Sequence, residues 1–234
     1  MRALVRPPSD AYARCLRTDA SRAIDVAKAR AQHAAYCEAL RACGLEVVAL
    51  APEPDLPDAC FVEDTAVVVG PRAVITRPGA PSRRGETASV ERALAATHEI
   101  RRVERGLVDG GDVLVVGRVA YVGLSARTDE TGARELGRAL EMEVRTVPVG
   151  RALHLKSIVT RLARLAGALA IGGGIETDEP AGANVLDIGR YAVVSAAAPR
   201  TAERLRTLGV EVHVVDVGEF HAGDAGLTCL SVIL

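Results

Sequence analysis

AVVVGPRAVIT at 66–76, VLVVGRVAYVG at 113–123 and VLDIGRYAVVS at 185–195 are one pattern written three times. Each is a run of β-favouring residues, a glycine followed by Pro or Arg, and a second such run. Gly70, Gly117 and Gly189 stand where a tight turn needs a residue free to take a positive φ. Three β-hairpins are therefore predicted. Downstream of each comes a helical stretch and a further strand: GETASVERALAATH then EIRRVE, ETGARELGRALEM then EVRTVPV, and RTAERLRTLG then VEVHVVDV. The N-terminal part supplies MRALVRP, a helix over about 21–43 and LEVVAL, with Ile24, Ala27, Ala31, Ala34 and Cys37 as its expected buried stripe. A less regular unit covers LHLKSIVTRLARLAGALAIGG, and the chain closes on the β-like LTCLSVIL. Units that each bring their own helix fit radial repetition within one domain, 1–234, better than one open sheet. The pattern fits four or five units.

Composition narrows the function. The 234 residues hold 29 Lys+Arg against 30 Asp+Glu, a net charge of −1, so no bulk charge points to nucleic acid or an anionic membrane. With no Trp, two Phe and four Tyr, aromatic platforms for bases or sugars are scarce. MRALVRPPSD lacks a signal-peptide apolar core, and the apolar runs are too short to span a membrane. Five scattered cysteines without a CxxC pair argue against structural zinc and for reduced thiols in the cytoplasm.

Polar residues gather where strands begin and end. LPDACFVEDTAVV carries Asp58, Glu63 and Asp64 beside Phe61, and suits either a turn with a strand-start cap or a guanidinium site, whose planar N–H fork pairs with carboxylates. LVDGGDVL carries Asp109 and Asp112 around a Gly pair, which an Asp-Gly turn also explains. His154 in ALHLKS is a satisfied core histidine or an acid/base, and Lys156, in a chain with only two lysines, would share its strand face. Cys229 in GLTCLSVIL is an inert buried thiol or a nucleophile with a histidine partner. Arg83 and Arg127 lie on loops that bind a carboxylate or present surface charge. P-loop, GxSxG, GxGxxG and HExxH patterns are absent. Together these residues suit an enzyme acting on a molecule with both a guanidinium and a carboxylate.

Six motifs in order, LPDACFVEDTAVV, TRPGAPSRRGE, LVDGGDVLVVG, YVGLSARTDETG, VPVGRALHLKS and GLTCLSVIL, resemble those of the dimethylarginine dimethylaminohydrolases of the pentein superfamily, and the first strand fits too. The resemblance implies an α/β propeller of five ββαβ-type units around a pseudo-fivefold axis, with the active site in the central channel. It implies hydrolysis of Nω-methylated arginine to citrulline and a methylamine, with no metal or organic cofactor. Cys229 matches the nucleophile and His154 the general acid/base. Asp109 matches the carboxylate that holds the guanidinium, with Asp64 its partner. Asp58, Phe61 and Glu63 match lining residues, and Arg83 and Arg127 the arginines that clamp the α-carboxylate. Leu16 and Gly223 match positions offering backbone groups to the α-amino end. Gly223 departs from the β-branched residue that relatives carry there.

An arginine deiminase or amidinotransferase is the nearest alternative, but those enzymes carry an Asp where this chain has Lys156, and deiminases are much longer. A non-catalytic pentein of the ribosome anti-association type is the other. The expected partner is a small-molecule methylated arginine, without nucleic acid or membrane; assembly as a homodimer is left open.

Overall fold

The hairpins form where the glycines place them. In the computed structural model, which describes residues 1–162 and 176–234, β3 (Ala66–Val69) pairs antiparallel with β4 (Arg72–Ile75), β6 (Val113–Val116) with β7 (Val119–Leu124), and β9 (Leu186–Ile188) with β10 (Tyr191–Ser195). Gly70, Gly117 and Gly189 turn these corners at φ of 56°, 60° and 66°, a region closed to most side chains.

Each hairpin's second strand pairs in parallel with a strand that returns after a helix. The helix α2 (Thr87–Leu94) leads to β5 (Glu99–Arg102), α3 (Glu130–Leu140) to β8 (Glu143–Pro148), and α4 (Pro199–Thr207) to β11 (Glu211–Val215). Every crossover helix buries its apolar face on its own sheet: Val90 and Leu94 meet Ala73 and Ile75, Leu136 and Leu140 meet Ala120 and Val122, and Ala202 and Leu205 meet Ala192 and Val194. Burying a Leu of this kind is worth about 1.5–3 kcal/mol, so each unit supplies much of its own stability.

The fourth sheet joins the two ends of the chain. The last strand, β12 (Ser231–Ile233), runs antiparallel to β1 (Arg2–Val5), which pairs in parallel with β2 (Glu46–Ala49) after α1 (Val26–Ala42). Four three-stranded sheets of one topology follow. Their inner strands, β3, β6, β9 and β12, line a common central channel of about 270 Å³. The α/β propeller-like architecture is thus as expected, with four of its units among the described residues; of the irregular stretch at 153–173, residues 163–173 lie outside them.

Three local expectations are corrected. The first helix starts at Val26, with Asp25 accepting from the Lys28 N–H as its N-cap, and its buried residues are Ala29, Gln32, His33, Tyr36, Cys37, Ala39 and Leu40. Ala27, Ala31 and Ala34 are exposed. Alanines cost little in water, whereas the larger polar-tipped residues find partners inside: Gln32 Oε1 accepts from the Glu219 N–H and the Tyr36 hydroxyl meets Ser231 Oγ at 2.7 Å. Secondly, Cys229 is not in a strand but on a 3-10 turn, Thr228–Leu230, that precedes β12. Thirdly, His154 and Lys156 do not share a strand face, because Leu155–Ser157 is also a 3-10 turn.

Gly70, Gly117 and Gly189 have open space where a Cβ would stand, so alanine there should cost only the left-handed backbone penalty, about 1–2 kcal/mol each by urea unfolding. Gly110 is different, since a Cβ would run into the Glu63 carbonyl oxygen. Gly110→Ala should cost clearly more than any hairpin replacement; equal costs would contradict this close approach.

Candidate active site

Six connecting segments that the sheets hold at their ends converge on one pocket. Leu16, Asp58, Phe61, Asp64, Arg83, Arg127, Leu153, His154, Gly223, Asp224, Ala225 and Cys229 line it. Nine of the eleven expected site residues are therefore brought together; Glu63 and Asp109 stand just behind the wall. The open volume is about 20 Å³, room for about one water, so a larger ligand must part the side chains.

The acidic wall comes from the short turn Val62–Thr65 ahead of β3. Asp64 Oδ1 accepts from the Gly111 N–H at 2.9 Å and its Oδ2 from Arg83 Nη1 at 2.6 Å. Burial opposes its charge, but the neighbouring His154 and Arg83 outweigh that and hold the carboxyl at about 2. Glu63 faces the central channel instead. Lys156 Nζ donates to its Oε1 at 2.7 Å and Thr228 Oγ1 to its Oε2 at 2.8 Å. Burial pushes its carboxyl up, with Lys156 pulling the other way. Lys156, Glu63 and Thr228 line the channel and, as a group, divide it from the pocket. Asp58 lies in the wall and accepts from the Leu16 N–H at 3.0 Å; burial raises its carboxyl as well.

Asp109 stands elsewhere than expected. It is fully buried, meets His154 Nε2 with Oδ2 at 3.0 Å and accepts from the Gly79 N–H with Oδ1 at 2.9 Å. A carboxylate already shared between an imidazole and an amide is turned away from the cavity, so it supports the histidine rather than facing a guanidinium. His154 itself is 5% exposed, and its ring packs on Gly111, where a Cβ would come within 2.8 Å of Nδ1. Burial disfavours the imidazolium, yet the Asp64 charge and the Asp109 hydrogen bond and charge prevail, lifting the group to about 9. The ring is a cation at neutral pH.

Arg83 is also placed differently from a simple clamp. It is 4% exposed, and its donors are engaged with protein: Nε and Nη2 on Glu86, Nη2 also on the Asp58 and Phe61 carbonyls, Nη1 on Asp64. Arg127 is looser. Its side chain is 20% exposed and Nη1 lies 3.8 Å from Asp109 Oδ2.

Cys229 Sγ receives the Gly226 N–H at 3.5 Å. Burial, then the Glu63 and Asp64 carboxylates, push the thiol well above its ordinary range. It is a thiol, not a thiolate, until a cation arrives. Gly223 is also accounted for: a Cβ there would stand 2.6 Å from the Tyr12 hydroxyl and 3.3 Å from Cys15 Sγ, so these two side chains fill the space a β-branched residue would take.

Four residues support the site without having been assigned to it from the sequence. Asp112 holds the histidine turn by accepting from the Leu155 N–H at 2.9 Å; Thr128 Oγ1 accepts from the Asp109 N–H at 3.1 Å; Glu86 balances Arg83; Asn184 bonds Thr228. The Asp-rich spacing of DGGD was a signal for Asp112, whereas the other three gave none. One group of three, Asp64, Asp109 and His154, offers ligand atoms within 4.8 Å of one another. A divalent ion there would face Arg83 Nη1 and need His154 to release Asp109, which makes it a poor metal site. Among the described residues no helix is long and apolar enough to cross a membrane.

The family model for eukaryotic N,N dimethylarginine dimethylhydrolase matches residues 6–170. An N(G),N(G)-dimethylarginine dimethylaminohydrolase of Streptomyces coelicolor is 44% identical, over 100% of this chain and 96% of the relative. That of Pseudomonas aeruginosa is 36% identical over 88% and 89%. Among solved structures, a variant of the Pseudomonas aeruginosa enzyme complexed with citrulline superposes with a TM-score of 0.90 at 31% identity, covering 99% of this chain and 98% of that one. By sequence, by coverage and by fold, the chain belongs to the dimethylarginine dimethylaminohydrolase family.

Proposed function

We propose that the protein hydrolyses Nω-methylated L-arginine to L-citrulline and a methylamine or dimethylamine, through a covalent intermediate on Cys229. The observation that carries this reading is the convergence of the Cys229 thiol, the His154 imidazolium, the Asp64 carboxylate and the Arg127 guanidinium on one pocket. The whole chain acts as a single catalytic unit, because the pocket draws on residues from Leu16 to Cys229. Five free cysteines support a cytoplasmic setting.

The substrate guanidinium lies against Asp64, and its positive charge lowers the Cys229 thiol, which the empty site holds up. The thiol proton passes to solvent water, because His154 already carries one, and the sulfur attacks the central guanidinium carbon. His154, cationic and turned by Asp109, donates a proton to the methylated nitrogen as its bond to carbon breaks, since an amine leaves poorly as an anion. The remaining S-alkylthiouronium is attacked by water, with neutral His154 taking the proton. The C–S bond breaks, and citrulline leaves with the thiol restored. Lys156 ties up Glu63, so two-sided carboxylate recognition of an unmethylated guanidinium is lacking, which leaves room for N-methyl groups. Arg127, with the second hydrogen on Arg83 Nη1, holds the α-carboxylate, and the backbone at Leu16 and Gly223 meets the α-amino end. Phe61 supplies an apolar wall for the substrate's methylene stem, while Asp58 fixes the Leu16 loop.

Citrulline should form from asymmetric dimethylarginine and monomethylarginine but not from arginine, and Cys229→Ala should abolish it, as read by mass spectrometry. Preference for arginine would make the enzyme a deiminase instead. No citrulline from any of the three would refute the reading.

The two arginines should separate. Arg127→Met should raise KM by about 10- to 150-fold with little change in stability, the worth of a lost charged clamp. Arg83→Ala should instead cost about 3–5 kcal/mol of stability, because Asp64 and Glu86 lose the cation that pairs them.

His154 should titrate near pH 9 by NMR in the free protein, and kcat/KM should fall as pH rises through that value. A histidine raised above its unfolded value stabilises fully below pH ~6.5 and loses this contribution as pH climbs through about 9. Asp109→Asn should move the titration and the alkaline limb of kcat/KM to lower pH and reduce kcat by about 100-fold or more. An unmoved limb would show that Asp109 does not set the histidine.

A further inference from the structure

Asn184 lies just ahead of β9, 7% exposed, and every polar atom of its amide is used on two loops that carry opposite halves of the site. Its Oδ1 accepts from the Thr228 N–H at 3.1 Å, and its Nδ2 donates to Thr228 Oγ1 at 3.0 Å. The amide thus grips, at two points, the residue that precedes Cys229. The same Nδ2 donates to the Lys156 carbonyl at 2.8 Å, on the turn that follows His154. The orientation is fixed by its surroundings. Exchanging the amide O and N would set an NH₂ against the Thr228 N–H and a C=O against the Lys156 carbonyl.

Two further features depend on this amide. Thr228 Oγ1, having accepted from Asn184, donates onward to Glu63 Oε2, and Lys156 Nζ closes the circuit on Glu63 Oε1. Asn184, Thr228, Glu63 and Lys156 form a closed ring of hydrogen bonds beneath the pocket. Gly226, whose N–H meets Cys229 Sγ, has no room for a Cβ, which would strike the Asn184 amide. A buried, fully satisfied network specifies one geometry, because any other leaves a polar group unpaired.

From this geometry we infer that Asn184 is a positioning residue that fixes the nucleophile turn at Thr228–Cys229 relative to the acid/base turn after His154. It acts through hydrogen bonds to both turns and touches neither substrate nor reacting atoms. The inference rests on the assignment of Cys229 and His154 as nucleophile and acid/base. Small displacements of reacting groups are costly: about 1 Å is worth about 100-fold in rate.

The test uses Asn184→Ala, Thr228→Val, their double variant and Thr228→Ser in the full chain. Rates are normalised to Cys229 titrated with iodoacetamide and mapped by peptide mass spectrometry. Asn184→Ala should lower kcat per titrated thiol by about 10- to 100-fold, with KM for methylarginine changed by less than about threefold. Thr228→Val should do the same. The double variant should be little worse than either, since both remove one connection. Thr228→Ser, which keeps the Oγ, should retain most of the rate. An unchanged kcat per titrated thiol would overturn the inference, as would a loss that only follows the folded fraction by circular dichroism, or additive losses in the double variant. If the wild type yields no citrulline, the proposed function falls by itself. Asn184 is then judged by the second-order rate of Cys229 alkylation against pH: a profile displaced in Asn184→Ala but not in Thr228→Ser supports positioning, and identical profiles overturn it.

Discussion

The contact between Arg83 and Asp64 is the interaction on which the site depends. A carboxylate this deep is costly to ionise without a cation beside it, and Arg83 Nη1 at 2.6 Å supplies one. With Asp64 ionised, the imidazole of His154 keeps its proton against burial, and the pocket keeps a negative face for a cationic ligand. Arg83 also fastens the carbonyls of Asp58 and Phe61, so the same guanidinium that sets the charge also sets the backbone of the acidic turn. Glu86, held at about 7 by burial despite Arg83, adds a second acid to the group. Charge and shape at this wall are one network, and neither is adjustable alone.

The repeated architecture explains how such distant residues meet. Each unit turns a hairpin, crosses back through a helix and adds a parallel strand, so the same edge of every sheet comes to the same axis. Loops at one end of that axis provide the pocket, while the inner strands enclose the channel beneath. The ring through Lys156, Glu63 and Thr228 is the partition between them. Here an acid and a base that look catalytic in sequence neutralise one another as part of the floor.

Much of this was legible in the sequence because turn chemistry is local. The three glycines announced their hairpins, and the motifs in order named nearly every residue of the pocket. What stayed hidden depends on contacts far along the chain. Nothing local says that Asp109 is turned behind His154, since that follows from the packing of two loops 45 residues apart. Nor could composition show that Arg83 spends its donors on protein, or that Tyr12 and Cys15 fill the volume vacated at Gly223. The stripe on the first helix was misjudged because alanines look apolar yet hide as cheaply as they show, while Gln32 and Tyr36 are buried through specific partners. Cys229 read as a strand residue because LTCLSVIL is mostly apolar; the turn at Thr228–Leu230 is held by Asn184 and Glu63 from elsewhere.

The pairing of β12 with β1 has a consequence for how the reactive thiol comes into being. Arg2 and Leu234 exchange backbone hydrogen bonds in both directions, and the nucleophile turn leads directly into that last strand. During synthesis the strand that seats Cys229 leaves the ribosome after all the other parts of the site have been made. A nascent chain that extends past His154 but stops short of Cys229 carries the acidic wall and the histidine without a thiol held against them. The thiol is held in place only once β12 has paired with β1.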